Sequence, residues 1–204
     1  KNGNFFIGYT DIIYNGGLEP KIERVYNSKT PYKGWFGWGW GNEYEVYLTV
    51  SADGSAIVHE YGGGAENRFV PLAFKPAELK KAVDDLVAVA QKIGVTGSKA
   101  QIEDYRKKLT TDAVFRNDEW EKFRAQGKIA ARKLAEGTQL KSNKYSYQYI
   151  TKVKDGYVRT FESGKTEKFD DEGHLIKILD KNNNFIQFTY GQDGKPQKLT
   201  DNKN

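Results

Sequence analysis

The side chains able to do acid–base chemistry in this chain are few, and they lie far apart in sequence. Histidine occurs at His59, in a predicted strand, and at His174, in a predicted turn. A Ser-His-Asp triad would need one of them as its base, and neither lies near a nucleophile-elbow sequence. A single histidine in a strand or turn more often has a structural role than a catalytic one. We therefore expect no catalytic residues and no enzymatic activity.

Metal-binding residues are equally sparse. The chain has no cysteine, so thiolate metal sites and disulfides are excluded, and two histidines form no imidazole cluster. The acidic turns at 170–172 and 180–184 offer oxygen atoms, but they lack the spacing and final acid of an EF-hand loop. Because Asn, Asp and Gly suit left-handed turn positions, we interpret both segments as turns. The sequence predicts no metal and no cofactor.

The segment 32–40 has the most unusual composition, because aromatic residues alternate there with glycine. Four aromatic residues are candidates for contact with a glycan or a partner: Tyr32, Trp35, Trp38 and Trp40. Exposed rings of this kind stack on sugars. Strand alternation puts Trp38 and Trp40 on one face, where Gly37 and Gly39 relieve crowding, and this favours a buried seam instead. A glycosidase would also need a facing pair of carboxylates, and no motif provides one.

Composition favours a folded β protein with a solvated charged surface. Aromatic residues make up 14% of the 204 residues, which suits strands. The net charge of +5 is spread over 32 basic and 27 acidic residues without a recognised nucleic-acid motif, so we expect no nucleic-acid binding. No apolar run is long enough to insert into a membrane, and no signal peptide is recognisable.

The elements that would position these residues begin with strands. Alternation of apolar and polar residues predicts strands over 5–14, 20–28, 44–50, 55–61 and 66–74. Asn15-Gly16-Gly17 and Asp53-Gly54 are favoured turn sequences between the members of the first and second pairs. The sequence thus predicts antiparallel hairpins.

Between residues 76 and 136 the apolar period becomes helical. Pro76 suits a first helical turn and Gly94 a C-terminal cap, while Ser98 and Gln101 have capping-box spacing. A third helix is predicted from Asn117 or Asp118 to Gly137. Strands then resume over 144–153 and 157–163, and the first of these places Tyr145, Tyr147 and Tyr149 on one face.

From Phe169 onward the sequence repeats itself at an offset of 21 residues. Residues 169–180 read FDDEGHLIKILD and residues 190–201 read YGQDGKPQKLTD. The offset aligns Phe169 with Tyr190, Gly173 with Gly194, and Asp180 with Asp201. Between the two copies, Ile186 and Phe188 share one predicted strand face. Such repetition indicates an array in which each unit needs a neighbour to bury its apolar face.

These repeats resemble the YD repeats of RHS proteins, most closely at Glu172-Gly173-His174-Leu175 and at 180–184. The segments 24–28 and 37–40, together with the strand pair around Asp53-Gly54, resemble the part that opens the RHS core. The residues that carry the two resemblances are Arg24, Tyr26, Ser28, Gly37, Gly39, Trp40, Phe169, Gly173, Asp180, Tyr190, Gly194 and Asp201.

The resemblance implies a piece of a large bacterial protein, secreted or at the cell surface, whose repeats form a β-shell around a C-terminal and often toxic cargo. Its partners would be further repeats of the same polypeptide and that cargo domain. The helical block departs from the family pattern, and the family's self-cleaving closing segment is missing, so the resemblance implies no processing activity.

We therefore predict a mainly β fold of antiparallel hairpins with a helical insertion (α+β). Residues 1–74 would open the RHS core, 75–137 would form the insertion, and 138–204 would carry the YD repeats and join 1–74 in one unit. The predicted function is a non-catalytic scaffold. A carbohydrate-binding adhesive module is the alternative, and a glycoside hydrolase is a weaker one.

Overall fold

The structure is a computed structural model that describes residues 3–15, 18–62, 64–73 and 75–202. The predicted turn residues Gly16 and Gly17, and the last residue of the predicted strand at Phe74, lie outside this part of the chain. The described residues form a predominantly antiparallel β structure with three helices, so the predicted fold class is confirmed.

A small sheet is built from the first strands of the chain. Strand β1 (Phe6–Ile13) pairs with β2 (Lys21–Asn27), which forms the predicted hairpin. Strands β3 (Lys33–Gly34) and β4 (Gly37–Trp38) form a separate two-residue ladder. Strand β5 (Trp40–Asn42) pairs with the other edge of β2 and completes a three-stranded sheet.

Ten further strands form one large sheet in which each strand pairs with the next one in the chain. They are β6 (Tyr47–Val50), β7 (Ala56–Glu60), β8 (Ala65–Pro71), β9 (Gln139–Ser142), β10 (Tyr149–Val153), β11 (Gly156–Thr160), β12 (Thr166–Phe169), β13 (Leu175–Leu179), β14 (Phe185–Tyr190) and β15 (Pro196–Asp201). The sheet curls until its first strand reaches the turn before β13, where the Leu48 amide donates to the Gly173 carbonyl over 2.8 Å. The buried face of the curled sheet is the main core.

The helices lie within a hairpin connection of this sheet. They are α1 (Pro76–Lys92), α2 (Lys99–Thr111) and α3 (Ala113–Ala125). Strand β8 before them pairs directly with β9 after them, with Phe69 opposite Ser142. The helices enclose a second core around Leu86, Leu109 and Phe123, which also includes Ala52 from the β6–β7 turn. The block is therefore an insertion that contacts the sheet beside that turn.

Two of the three helices begin where the sequence predicts. Pro76 occupies the first turn of α1, and Gly94 follows its end with φ +75°. Ser98 Oγ accepts from the Gln101 amide over 3.2 Å, and Gln101 Oε1 accepts from the Ser98 amide over 3.0 Å, so the capping box is formed.

The prediction for the third helix is wrong at both ends. Asp112 caps α3, since its Oδ1 accepts from the Phe115 amide over 2.9 Å, and the helix therefore starts before Asn117. It ends at Ala125, and Gly127 follows in the left-handed region with φ +65°. Residues 128–136 have no regular structure.

The strand predicted over 144–153 is also corrected. Residues 144–148 form a turn, because Ser142 Oγ accepts from the amides of Lys144 and Tyr145 over 3.0 and 2.9 Å. Tyr145 and Tyr147 are consequently exposed and do not share a strand face with Tyr149. Strand β9, which precedes this turn, was not predicted.

Candidate functional site

The C-terminal repeats share one type of turn, which also joins β6 to β7. This turn occurs five times in the described residues. It occurs at 51–55, 161–165, 170–174, 180–184 and 191–195. In each case the first amide donates to the fifth carbonyl over 2.7 to 3.0 Å, and the fourth amide donates to the first carbonyl over 3.0 to 3.2 Å. The fourth residue has a positive φ and is Gly54, Gly164, Gly173, Asn183 or Gly194. Glycine and asparagine tolerate that conformation, which explains the turn sequences.

The two sequence copies also share their strand irregularity. The register between β12 and β13 shifts at Phe169, and the register between β14 and β15 shifts at Tyr190. These residues are equivalent at the offset of 21, as are Gly173 and Gly194 in the turns that follow. Ile186 and Phe188 are buried on one face of β14, as predicted. The two copies therefore fold alike.

Asp180 stabilises the turn at the end of the first copy. Its carboxylate accepts from the amides of Asn182 and Asn184 over 2.8 and 2.9 Å and from Asn184 Nδ2 over 2.7 Å. The Asn184 side chain and these amides lower the pKa of Asp180. The carboxylate thus serves the turn, which agrees with the turn interpretation of this acidic segment.

The N-terminal motif residues hold the small sheet together. Arg24 donates to Asp11 over 2.5 and 2.7 Å, and its guanidinium lies 5.0 Å from the Trp40 ring. Tyr26 contacts Trp40 on the neighbouring strand at 5.3 Å between ring centroids. Ser28 Oγ accepts from the Phe5 amide over 2.9 Å. Arg24, Tyr26 and Ser28 therefore have packing and hydrogen-bonding roles in this structure.

The structure separates Trp38 from Trp40. Gly37 and Gly39 have φ of +105° and +77°, so the chain does not continue as one alternating strand. Trp38 lies in the β3–β4 ladder and is 66% exposed, whereas Trp40 lies in the three-stranded sheet and is half-buried. The predicted shared face is wrong, and so is a seam that buries both rings.

A cleft of about 550 Å³ lies between the large sheet, the helical insertion and the repeats. Its aromatic lining consists of Tyr32, Trp35, Tyr44, Tyr47, Tyr157 and Tyr190, with His174 beside them. Arg124, Arg132 and Lys133 come from α3 and the segment after it. Of the four aromatic residues singled out from the sequence, the cleft contains Tyr32 and Trp35, whereas Trp38 and Trp40 lie outside its lining.

Glu45 fixes the loop that brings Tyr32 and Trp35 to this cleft. The Glu45 residue is 3% exposed, and its carboxylate accepts from the Trp35 amide over 2.5 Å and from the Asn42 amide over 2.9 Å. Burial raises the pKa of Glu45, and the donors from Trp35 and Asn42 oppose that shift. Burial also raises the pKa of Tyr32, whose hydroxyl lies 3.4 Å from Glu45 Oε1. Glu45 was not predicted from the sequence, although the run Asn42 to Glu45 has the short spacing of a side-chain-capped turn.

The comparisons with known proteins bear on the first part of the chain. Residues 1–69 match the model of a domain of unknown function, DUF6531. The match extends from β1 into β8 and includes Arg24, Glu45 and the aromatic segment, but not the helical insertion or the repeats. No curated protein matches the chain.

Both histidines contact protein groups, as do three of the four carboxylates that line the cleft, Glu45, Glu121 and Asp171. His174 Nδ1 lies 2.9 Å from Asp170 Oδ2, and His59 lies between Thr49 and Glu66. Within the described ranges, no three residues of His, Asp or Glu are grouped as a metal ion would need. None of the helices described is both long and apolar enough to cross a membrane.

Proposed function

We propose that this chain is a non-catalytic structural fragment of a bacterial secreted or cell-surface protein of the RHS, YD-repeat class. In this proposal it contributes strands to a β-scaffold or shell around a delivered or displayed cargo. Support comes from two separate parts of the chain. One is the segment 1–69, where a match to a domain of unknown function has nearly the bounds of the predicted opening segment 1–74, and the other is the pair of C-terminal copies with the same turn and the same register shift.

The observation that carries the proposal is the position of β15 at the edge of the large sheet. Strand β15 is the last strand of the ten-stranded sheet, and in the described residues it pairs on one side alone, with β14. It is also the end of the second copy, so a third copy of the same unit would pair with this edge in the same way. The helical insertion packs against the other end of the sheet, at the turn between β6 and β7.

The test is to add the predicted next unit. A copy of residues 181–201 appended after Asp201 should form a further strand pair on β15. A gain of about 1 kcal/mol would raise the thermal midpoint of a domain of this size by roughly 2–4 °C. Hydrogen exchange should show protection of the outward amides of β15.

The matched control appends the same 21 residues in scrambled order, which keeps length, composition and charge. The scrambled tail should stay unprotected and leave the midpoint unchanged. If the copied unit behaves like the scrambled one, the scaffold proposal is wrong.

A glycan-binding module is the second candidate, and the cleft is the observation that favours it. Tyr32 and Trp35 line a cavity of about 550 Å³, within the size range of small-ligand sites. Ring faces and charged groups together are what recognises a sugar. Titration with a panel of neutral and acidic oligosaccharides, followed by tryptophan fluorescence, tests this candidate.

Binding at the cleft should be lost in Trp35→Ala and kept in Trp38→Ala, because Trp38 lies outside it. The reverse result would place any glycan on the surface of the β3–β4 ladder. The glycoside hydrolase stays the weakest proposal, since Glu45, Glu121 and Asp171 in the cleft are bound by protein donors.

A further inference from the structure

Strand β1, one of the two edge strands of the small sheet, exposes apolar side chains on both of its faces. Around β1 the exposed large apolar residues are Phe5, Phe6, Tyr9, Ile12, Ile13 and Tyr14. Phe6 is 65% exposed and Ile13 is 63% exposed. A sheet edge with this composition is the kind of surface at which another strand pairs.

The backbone groups of this edge are positioned to accept a strand. Ser28 donates its amide to the Phe5 carbonyl over 3.0 Å, so Phe5 and Ser28 are a hydrogen-bonded pair. Hydrogen-bonded and non-hydrogen-bonded pairs alternate along an antiparallel ladder. Three pairs are therefore non-hydrogen-bonded: Phe6 with Asn27, Gly8 with Val25, and Thr10 with Glu23. The amides and carbonyls of Phe6, Gly8 and Thr10 point away from β2.

The two edge strands of the large sheet, β6 and β15, differ from β1 in their contacts and in their charge. Strand β6 is contacted by the turn that contains Gly173, and β15 carries the charged residues Lys198 and Asp201. The one charged residue of β1 is Asp11, which is neutralised by Arg24 within its own sheet. Two β1 strands can therefore approach each other without repulsion between like charges. A suitable partner strand is uncharged and apolar on both faces, and among these edge strands β1 best fits that description.

We propose that β1 pairs antiparallel with β1 of a second copy of this chain, which forms a two-fold dimer with a continuous six-stranded sheet. Hydrogen-bonded pairs must join outward residues of both strands, and the register that pairs the whole regular segment from Phe6 to Thr10 is centred on Gly8. Gly8 then lies opposite Gly8 of the second copy, and Phe6 lies opposite Thr10. Ile7 lies opposite Tyr9, which covers part of both side chains. The register shift between Thr10 and Ile12 ends this regular segment.

Gly8 gives a variant that leaves the single chain intact. A Cβ at Gly8 would lie 3.7 Å from the Arg24 carbonyl oxygen and 3.9 Å from Val25 Cγ2, which are ordinary contacts. Gly8→Lys would place two ammonium groups opposite each other at the two-fold axis. The control is Gln197→Lys, which adds the same charge to the β15 edge.

Sedimentation equilibrium over a wide range of protein concentration measures the association. We expect the unmodified chain and Gln197→Lys to dimerise with similar dissociation constants, and Gly8→Lys to weaken the dimer at least tenfold. Circular dichroism should show that Gly8→Lys is folded. An unmodified chain that stays monomeric at all concentrations would overturn the proposal, as would a Gly8→Lys dimer of unchanged strength.

The register has its own test, because the chain contains no cysteine. Gly8→Cys should form a disulfide-linked dimer under mild oxidation, since hydrogen-bonded pairs bring Cα atoms to about 5.5 Å. Gln197→Cys should stay largely monomeric under the same conditions. Efficient cross-linking through Gln197→Cys and not through Gly8→Cys would assign the dimer to β15 and refute the proposed interface.

Discussion

The two C-terminal copies have the same turn and the same register shift, but their neighbours differ. In the first copy, the carbonyl of Gly173 accepts from Leu48, and Phe169 is buried in the main core. In the second copy, no described atom outside residues 193–195 lies within 4 Å of the position that a Gly194 Cβ would occupy, and β15 is an edge strand. The repeated sequence thus determines the hairpin structure of each copy. The strands packed beside a copy determine how much of its surface is buried, and therefore how stable it is.

The strongest test of this difference is the pair of variants Gly173→Ala and Gly194→Ala. Both glycines have a positive φ, which costs about 1–2 kcal/mol for alanine. A Cβ at Gly173 would also overlap the Leu48 carbonyl oxygen, which belongs to the backbone and cannot rotate away. We expect Gly173→Ala to lower the free energy of unfolding by about 3 kcal/mol or more and Gly194→Ala by about 1 kcal/mol. Urea denaturation measures both, and equal losses would mean that the first copy does not depend on β6.

A smaller difference is expected at the strand that follows each turn. Ile178 of the first copy is buried between β12 and β14, and its equivalent Leu199 is half-buried on the edge strand. Truncation of a buried aliphatic side chain costs about 2–5 kcal/mol, and the cost falls with exposure. Ile178→Ala should therefore destabilise the chain by about 2–3 kcal/mol, and Leu199→Ala by about 1 kcal/mol.

The same pair of variants also tests the scaffold proposal. In the chain extended by a third unit, β15 becomes an internal strand, so Leu199→Ala should then cost nearly as much as Ile178→Ala. An unchanged cost in the extended chain would indicate that the appended unit does not pack on β15.

The hairpins were predictable from sequence because their turns need particular residues. Asp53-Gly54, Gly173 and Gly194 mark turns whose fourth position requires a positive φ, and few residues other than glycine and asparagine adopt it. The capping box at Ser98 was predictable for the same reason, since it is a local arrangement of side chain and backbone. Features fixed by contacts distant in sequence were missed. Strand β9 is an example, because four residues acquire strand structure through their pairing with β8 and β10.

The candidate site was harder to predict, because the cleft joins segments more than a hundred residues apart.

Charged residues at inward strand positions were also missed. Arg159 is buried and donates to Glu60 over 2.6 Å and to Glu167 over 3.1 Å. Arg159 lies two residues after Tyr157, and alternate residues of a strand share a face. This spacing could have placed Arg159 on the inward face of β11 beside the buried Tyr157. A buried charge is tolerated where partners satisfy it, and sequence spacing alone does not reveal partners on other strands.

The smallest expected effect is a pH dependence that should distinguish the two copies. His59 stacks on Tyr47 at 4.3 Å between ring centroids, and Tyr47 forms a β-bridge with His174 of the first copy. Burial lowers the pKa of His59 below its usual value of 6.5, although Glu66 and Glu121 oppose the shift. The unfolded chain therefore takes up a proton more readily than the folded one, so stability falls as the pH drops from about 6.5 towards the folded pKa.

Because His59 lies next to the contact between β6 and the first copy, acidification should loosen that contact before it affects β15. Hydrogen exchange, corrected for the intrinsic rate, should accelerate at the Leu48 amide below pH 6.5 and stay constant at the Gly194 amide. His59→Gln removes the titrating group, so it should abolish the acceleration at Leu48. If the acceleration persists in His59→Gln, another group controls the contact and the first copy is not coupled to β6 through this histidine.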